Sequence, residues 1–128
     1  MKAIILFAHG SRDPLWHGPI KSIANRIGQK NSTTPVRCAY LELTQPTLHE
    51  SAAELVQLGC TELQITPLFL GVGKHAREDL PLLVDQLKIS FPNIMINCAP
   101  SVGEDPRVLD LIADVALNPA SNLTSKVV

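Results

Sequence analysis

Two histidines define the chemistry open to this chain. His9 ends the apolar run Lys2–Ala8 and leads into Gly10-Ser11-Arg12-Asp13-Pro14. His75 follows a second apolar run, residues 63–70, after the glycine loop Gly71-Val72-Gly73-Lys74. Both imidazoles are expected where a β-strand leaves one edge of a sheet. Imidazole nitrogen suits borderline divalent ions such as Co²⁺, Ni²⁺, Fe²⁺ and Zn²⁺. Two protein ligands leave coordination positions open, which favours transient handling of an ion over a closed structural site. A neutral imidazole also accepts protons near neutral pH.

The neighbours of the two histidines extend this chemistry. Glu42, at the end of the second strand-like run, could orient an imidazole or assist proton removal, or could be a solvated loop residue. Gln45, just before the helix start at Pro46, could hydrogen-bond a ligand. Arg12, Lys74 and Arg77 flank the histidines and would pair with carboxylates of an anionic ligand, although each alone is also an ordinary surface charge. His17 and His49 read as solvated residues on the polar sides of their helices. Ser11 beside His9 resembles a nucleophile pair, but no acidic third member or GxSxG elbow accompanies it. The loop 71–74 fails as a phosphate loop, because His75 stands where Ser or Thr would follow Gly-Lys. It also lacks the third glycine of GxGxxG. Its two glycines instead allow close backbone approach to a flat or bulky ligand.

The elements that must position these residues alternate along the chain. Strand-like segments are Lys2–Ala8, Val36–Glu42, Glu62–Leu68 and Ile94–Ala99. Apolar residues at helical spacing lie between and after them: Trp16, Ile20, Ile23, Ala24 and Ile27; Leu48, Ala52, Leu55 and Val56; Leu80, Leu83, Val84 and Leu87; Val108, Leu111, Ile112 and Val115. Helix starts are signalled at Asp13-Pro14, at Pro46-Thr47 with Glu50, at Asp79 with Pro81 and at Asp105-Pro106. Gly59 and Pro92 mark ends. Strand starts recurring roughly every thirty residues predict four βα units. Such units form an α/β three-layer sandwich: a four-stranded parallel sheet with helices on both faces. Ligands of that architecture bind at the carboxyl ends of the strands. His9, Glu42, residues 70–75 and Ser101-Val102-Gly103 all fall there. One domain is expected over residues 1–117, with a polar tail over 118–128.

Composition narrows the classes. The 128 residues, 45% hydrophobic and 18% charged, describe a globular chain with a substantial core. A formal net charge of −1 supplies no basic field, so nucleic acid is not an expected partner. No apolar run approaches the ~20 residues of a membrane helix, and the first residues lack the features of a signal peptide. A cytoplasmic location is expected. Cys38, Cys60 and Cys98 are odd in number and contain no CxxC, so reduced and mostly buried thiols are expected.

Four blocks resemble the short-form sirohydrochlorin chelatases, class II chelatases related in fold to ferrochelatase. They are His9-Gly10-Ser11-Arg12; Leu41-Glu42-Leu43-Thr44-Gln45-Pro46-Thr47-Leu48; Pro67-Leu68-Phe69-Leu70-Gly71-Val72-Gly73-Lys74-His75 with Asp79-Leu80-Pro81; and Pro100 to Val108. Order and spacing agree over residues 1–117. The resemblance implies insertion of a divalent ion, Co²⁺ above all and Ni²⁺ or Fe²⁺ in some members, into the tetrapyrrole sirohydrochlorin. It implies metal ligation by His9 and His75, with His9 also the proton acceptor and Glu42 assisting. It further implies tetrapyrrole contacts from Gln45 and from Leu70, Gly71, Val72, Gly73, Lys74 and His75, with Arg12 among the basic residues facing the substrate's carboxylates. Gln45 is neutral where some relatives carry a charge. No organic cofactor is implied; the metal is a substrate. Longer relatives hold two such lobes in one chain, so the resemblance implies a homodimer here. The competing reading is a non-catalytic metal or tetrapyrrole carrier on the same fold. A phosphohydrolase-like activity around His9-Gly10-Ser11-Arg12 is a third, and would not need His75.

Overall fold

Short runs of aliphatic residues become strands because, in a parallel sheet covered on both sides, successive side chains are buried on opposite faces. The computed structural model describes residues 1–120; of the tail expected at 118–128, residues 121–128 lie outside the described residues. The strands are β1 (Lys2–Ala8), β2 (Val36–Tyr40), β3 (Glu62–Pro67) and β4 (Met95–Cys98). All pairings are parallel, in the order β2-β1-β3-β4. The helices are α1 (Gly18–Lys30), α2 (Leu48–Gln57), α3 (Lys74–Ser90) and α4 (Pro106–Leu117). A 3-10 turn, Pro14–His17, precedes α1, and another, Val102–Glu104, precedes α4. This is the expected four-stranded parallel sheet with helices on both faces.

The two faces are unequal. Ala3, Ile5 and Phe7 of β1 join Leu63, Ile65 and the inner faces of α2 and α3 in the larger core. Leu6 and Ala8 point the other way and meet Ile20 of α1 and Tyr40. The expected inner residues of α2 and α3 are found there: Leu48, Ala52, Leu55, Val84 and Leu87 are buried. α4 departs from expectation. Leu111, Ile112 and Val115 remain 63%, 44% and 56% exposed, and α4 packs chiefly on the turn Val102–Glu104. The cause lies in the sheet. β4 is a four-residue edge strand whose residues on that side, Met95 and Asn97, are themselves exposed, so the sheet offers α4 no apolar bed.

Local chemistry explains most boundaries. Thr47 and Glu50 form a reciprocal cap on α2: the Thr47 hydroxyl accepts from the Glu50 N–H at 3.1 Å, and the Glu50 carboxylate accepts from the Thr47 N–H at 2.8 Å. Asp105 caps α4 by accepting from the Arg107 N–H at 2.9 Å. Hydrogen bonds from the Arg107 side chain and backbone hold this carboxyl down to about 2. The depressed value means that the cap's stabilisation, complete above the ordinary carboxylate range, is lost only as pH falls through about 2. Pro81 does not begin a helix as expected but lies inside α3. Gly73 caps that helix, and burial of Ala76, Val84 and Leu87 carries it through the hydrogen bond that proline cannot make. The thiols also differ from expectation. Cys60 is buried and Cys38 half-buried, but Cys98 is exposed because it sits on the edge strand. No helix among the described residues is long and apolar enough to cross a membrane.

Two glycines hold positive φ, Gly10 at 101° and Gly59 at 94°. A side chain at Gly59 would meet nothing within 4 Å, whereas a Cβ at Gly10 would lie 2.0 Å from the Glu42 carbonyl oxygen. Gly59→Ala should therefore cost only the left-handed conformation, about 1 kcal/mol. Gly10→Ala adds a backbone collision and should cost about 3 kcal/mol or more. Urea unfolding of both variants checks this; equal losses would contradict it.

Candidate functional site

His9 stands where β1 runs out. Phe7 pairs with Pro67 in the β1–β3 register, so two residues further His9 faces Phe69. The His9 and Phe69 rings lie 4.5 Å apart, and Phe69 is buried edge-on to Phe7, with centroids 6.0 Å apart. The exposed imidazole thus rests on a fixed aromatic floor. Its backbone is also held, since the His9 carbonyl accepts from the Glu42 N–H at 2.9 Å. Glu42 therefore meets His9 through its main chain, and its own side chain is exposed. Leu43 next to it adopts φ 69°, a left-handed conformation uncommon for leucine. Ser11 is engaged away from any nucleophile role, its Oγ accepting from the Asp13 N–H at 3.0 Å.

His75 belongs to the first turn of α3 rather than to the strand exit itself. Its Nε2 lies 2.9 Å from Asp79 Oδ2, one helical turn on. A carboxylate only accepts, so Nε2 carries a proton, and in a neutral ring Nδ1 is then the nitrogen with the lone pair that an ion can use. The intervening loop is braced from within and behind. Arg77 donates to the Val72 carbonyl at 3.2 Å, so it serves the loop. Gly103 donates to the Phe69 carbonyl at 3.0 Å, and a Cβ on Gly103 would lie 1.7 Å from the Leu70 carbonyl oxygen. Leu70 is left 64% exposed. Gly71 and Gly73 have open space where a side chain would be.

The remaining expected residues spread around this centre. Arg12 and Lys74 are exposed. Gln45 lies apart, on the β2 side, lining a cavity of about 390 Å³ with Lys21, Arg37 and Tyr40. On the α1 side a larger groove, about 1030 Å³, runs from Ala8, beside His9, past Trp16, Leu68 and Leu70 to Val108 and Ile112 of α4. It is mostly apolar, and no spacing in the sequence announced it. Phe69 and Asp79 also escaped the sequence reading. Asp79 had a usable signal, four residues after His75; Phe69 needed the β1–β3 register. His17 corrects an expectation: it is buried, because it closes a 3-10 turn that rotates its ring onto Tyr40, 4.7 Å away.

Among the described residues, no three His, Cys, Asp or Glu side chains gather around one point. Two imidazoles follow the carboxyl ends of the neighbouring strands β1 and β3, His9 stacked on Phe69 and His75 oriented by Asp79, and the apolar groove starts at Ala8 next to His9 in the chain. This arrangement can hold a divalent ion through few ligands and take up a proton when an imidazole is released.

The chain matches the family model described as CbiX over residues 3–117. It is similar to the sirohydrochlorin cobaltochelatase of Methanosarcina acetivorans, 32% identical over 116 residues that span 85% of this chain and 89% of that one. Its fold superposes on the CbiX protein of Marinobacter aquaeolei VT8, which is named for cobalamin (vitamin B12) biosynthesis. The TM-score is 0.79 with 31% identity, covering 91% of this chain and 95% of that one. It also resembles the sirohydrochlorin chelatase SirB from Bacillus subtilis subspecies spizizenii, solved in complex with cobalt, with a TM-score of 0.74 and 25% identity. That match covers 93% of this chain but 51% of SirB.

Asp79→Asn should leave the fold intact and weaken Co²⁺ binding about 10-fold or more, as loss of a carboxylate behind a ligating histidine does elsewhere. Titration of the variant with Co²⁺, followed by absorbance, measures it; wild-type affinity would show that Asp79 does not orient the ligand.

Proposed function

The chain belongs to the CbiX family, and from that premise we propose that it is a sirohydrochlorin chelatase that inserts a divalent metal into the macrocycle at the His9–His75 edge. The observation that carries the site assignment is the pair of differently supported imidazoles beside an apolar groove. Co²⁺ is the favoured metal, with Ni²⁺ and Fe²⁺ as substrates of the same imidazole chemistry.

Metallation exchanges two pyrrolic N–H protons of the macrocycle for one divalent ion. The ion must lose water, pass to four ring nitrogens, and leave the two protons with acceptors. His75, fixed by Asp79, presents Nδ1 and anchors the ion. His9 has an exposed ring whose carboxylate neighbour, Glu42, is joined to it through the main chain. As the ion moves to the macrocycle, the His9 lone pair is freed and takes one pyrrolic proton, the exposed Glu42 carboxylate takes the other, and both are passed on to solvent. The apolar groove from Ala8 to α4 accepts the face of the macrocycle, and Arg12 and Lys74 pair with its carboxylates. The loop 70–75 completes the contacts on this face, and Gln45, apart on the β2 side, would meet only the periphery of the macrocycle. No organic cofactor enters this scheme.

The domain spans 1–117 in this reading and works as a homodimer. The exposed aliphatic residues of α4, Leu111 and Val115 among them, are the surface that a second copy would cover in this reading. SirB, about twice as long as the part matched here, is consistent with a second copy completing the cleft. Turnover of a highly charged tetrapyrrole fits the cytoplasmic location expected from the sequence.

The test follows the absorbance of sirohydrochlorin with Co²⁺, Ni²⁺ or Fe²⁺. His9→Ala should lower kcat about 100-fold or more, the usual size of a lost acid–base group. His75→Ala should act mainly by raising KM for the metal. Wild-type rates in both variants would sink the assignment of the site, and tetrapyrrole binding without turnover by the wild type would make the protein a carrier.

A further inference from the structure

His17 takes no part in this scheme, yet the residue is only 8% exposed, against the cavity that Gln45 also lines. Its ring is wedged edge-on between Trp16, 5.4 Å away, and Tyr40, 4.7 Å away. Its Nε2 lies 2.9 Å from the Ser11 carbonyl oxygen. A carbonyl only accepts, so the ring carries its proton on Nε2 and donates it to Ser11. The other nitrogen, Nδ1, is buried and meets no hydrogen-bond partner among the described residues.

An unpartnered buried acceptor costs stability that a phenylalanine or leucine in the same space would not incur. What the imidazole supplies in exchange is the single Nε2–H bond, and that bond ends on the turn that carries His9. The other restraints on this turn lie on one side of it: the Glu42 N–H bond to the His9 carbonyl, and the contact of Gly10 with the Glu42 backbone. The α1 side is held by His17. Without it, the Ser11 carbonyl loses its tie to the helix, and residues 11–13 keep only bonds within the 3-10 turn: the Asp13 N–H to Ser11 Oγ, and the Leu15 and Trp16 N–H groups to Asp13.

We propose that His17 is a positioning residue for metallation: by gripping the Ser11 carbonyl it holds the His9 turn in register with Phe69, so that the His9 ring is presented to ion and macrocycle. The inference rests on the chelatase reading above. It assigns His17 no contact with metal or substrate. The ring acts through the backbone.

The experiment compares wild type, His17→Phe and His17→Gln in the cobalt-insertion assay, with circular dichroism to confirm folding and 15N NMR of the wild-type histidines. Phenylalanine keeps the packing and removes the donor; glutamine carries an amide N–H to about the Nε2 position. The expected result is a kcat reduced by up to about 100-fold in His17→Phe, with KM for sirohydrochlorin unchanged and most of the rate restored in His17→Gln. A purely structural residue would lower stability without that split or rescue. A folded His17→Phe variant with wild-type kcat overturns the proposal, and so does an Nδ1–H tautomer of His17 in the wild type. The tautomer can be read even if the variant does not fold. A wild type with no insertion activity but an Nε2–H His17 would instead count against the chelatase reading and leave the grip on Ser11 standing.

Discussion

Everything at the candidate site depends on one close approach. Where β1 ends, the chain passes so near the segment after β2 that only a hydrogen atom fits on the α-carbon of Gly10. That contact lets the His9 carbonyl accept from Glu42, and it turns the following residues toward α1. His9, the backbone of Glu42 and the start of the first helix are thereby fixed by main-chain geometry before any side chain contributes. Side chains then refine it: Phe69 beneath the ring, His17 behind the turn. The same logic recurs on the other side, where Gly103 fits against the Leu70 carbonyl and supports the second loop.

The two imidazoles are held by different means, and that difference matters chemically. His75 is oriented by a carboxylate through its own ring nitrogen, an arrangement that strengthens a ligand and fixes which nitrogen is offered. His9 has no hydrogen-bond partner of that kind among the described residues; its ring rests against Phe69. In the proposed reading, a firmly oriented imidazole and a less encumbered one suit an ion that must be captured and then surrendered. A closed cage of three or four ligands would bind well and release poorly.

The sheet, its strand directions and the edge carrying the histidines were legible because alternation of apolar segments with helical spacing leaves few arrangements open. The segments 41–42 read as strand and are not part of a strand, although their N–H groups still bond to the exit of β1, so the pattern was right about the neighbour and long by a turn. α4 read as a packed helix because its spacing records only that one face is apolar. Whether the sheet provides an apolar surface for that face depends on the length of β4, a tertiary fact. His17 read as solvated because its place on a helical wheel was taken as α-helical, whereas a 3-10 turn rotates it inward. Asp79 could have been found from spacing alone; Phe69 and the apolar groove required the register between strands distant in sequence.

The central strand also sets the order in which the site can come into being. Ile4 pairs with Val36 on one side and with Gln64 on the other, so β1 precedes both of its partners along the chain. As the chain emerges during synthesis, the strand bearing His9 is an apolar segment with both edges unsatisfied until β3 has been made. Loop closure over such distances is slow compared with helix formation, and exposed strand edges invite association meanwhile. The edge that carries His9 is therefore a late product of folding, and a nascent chain ending before β3 would carry His9 without the neighbour that gives the ring its floor.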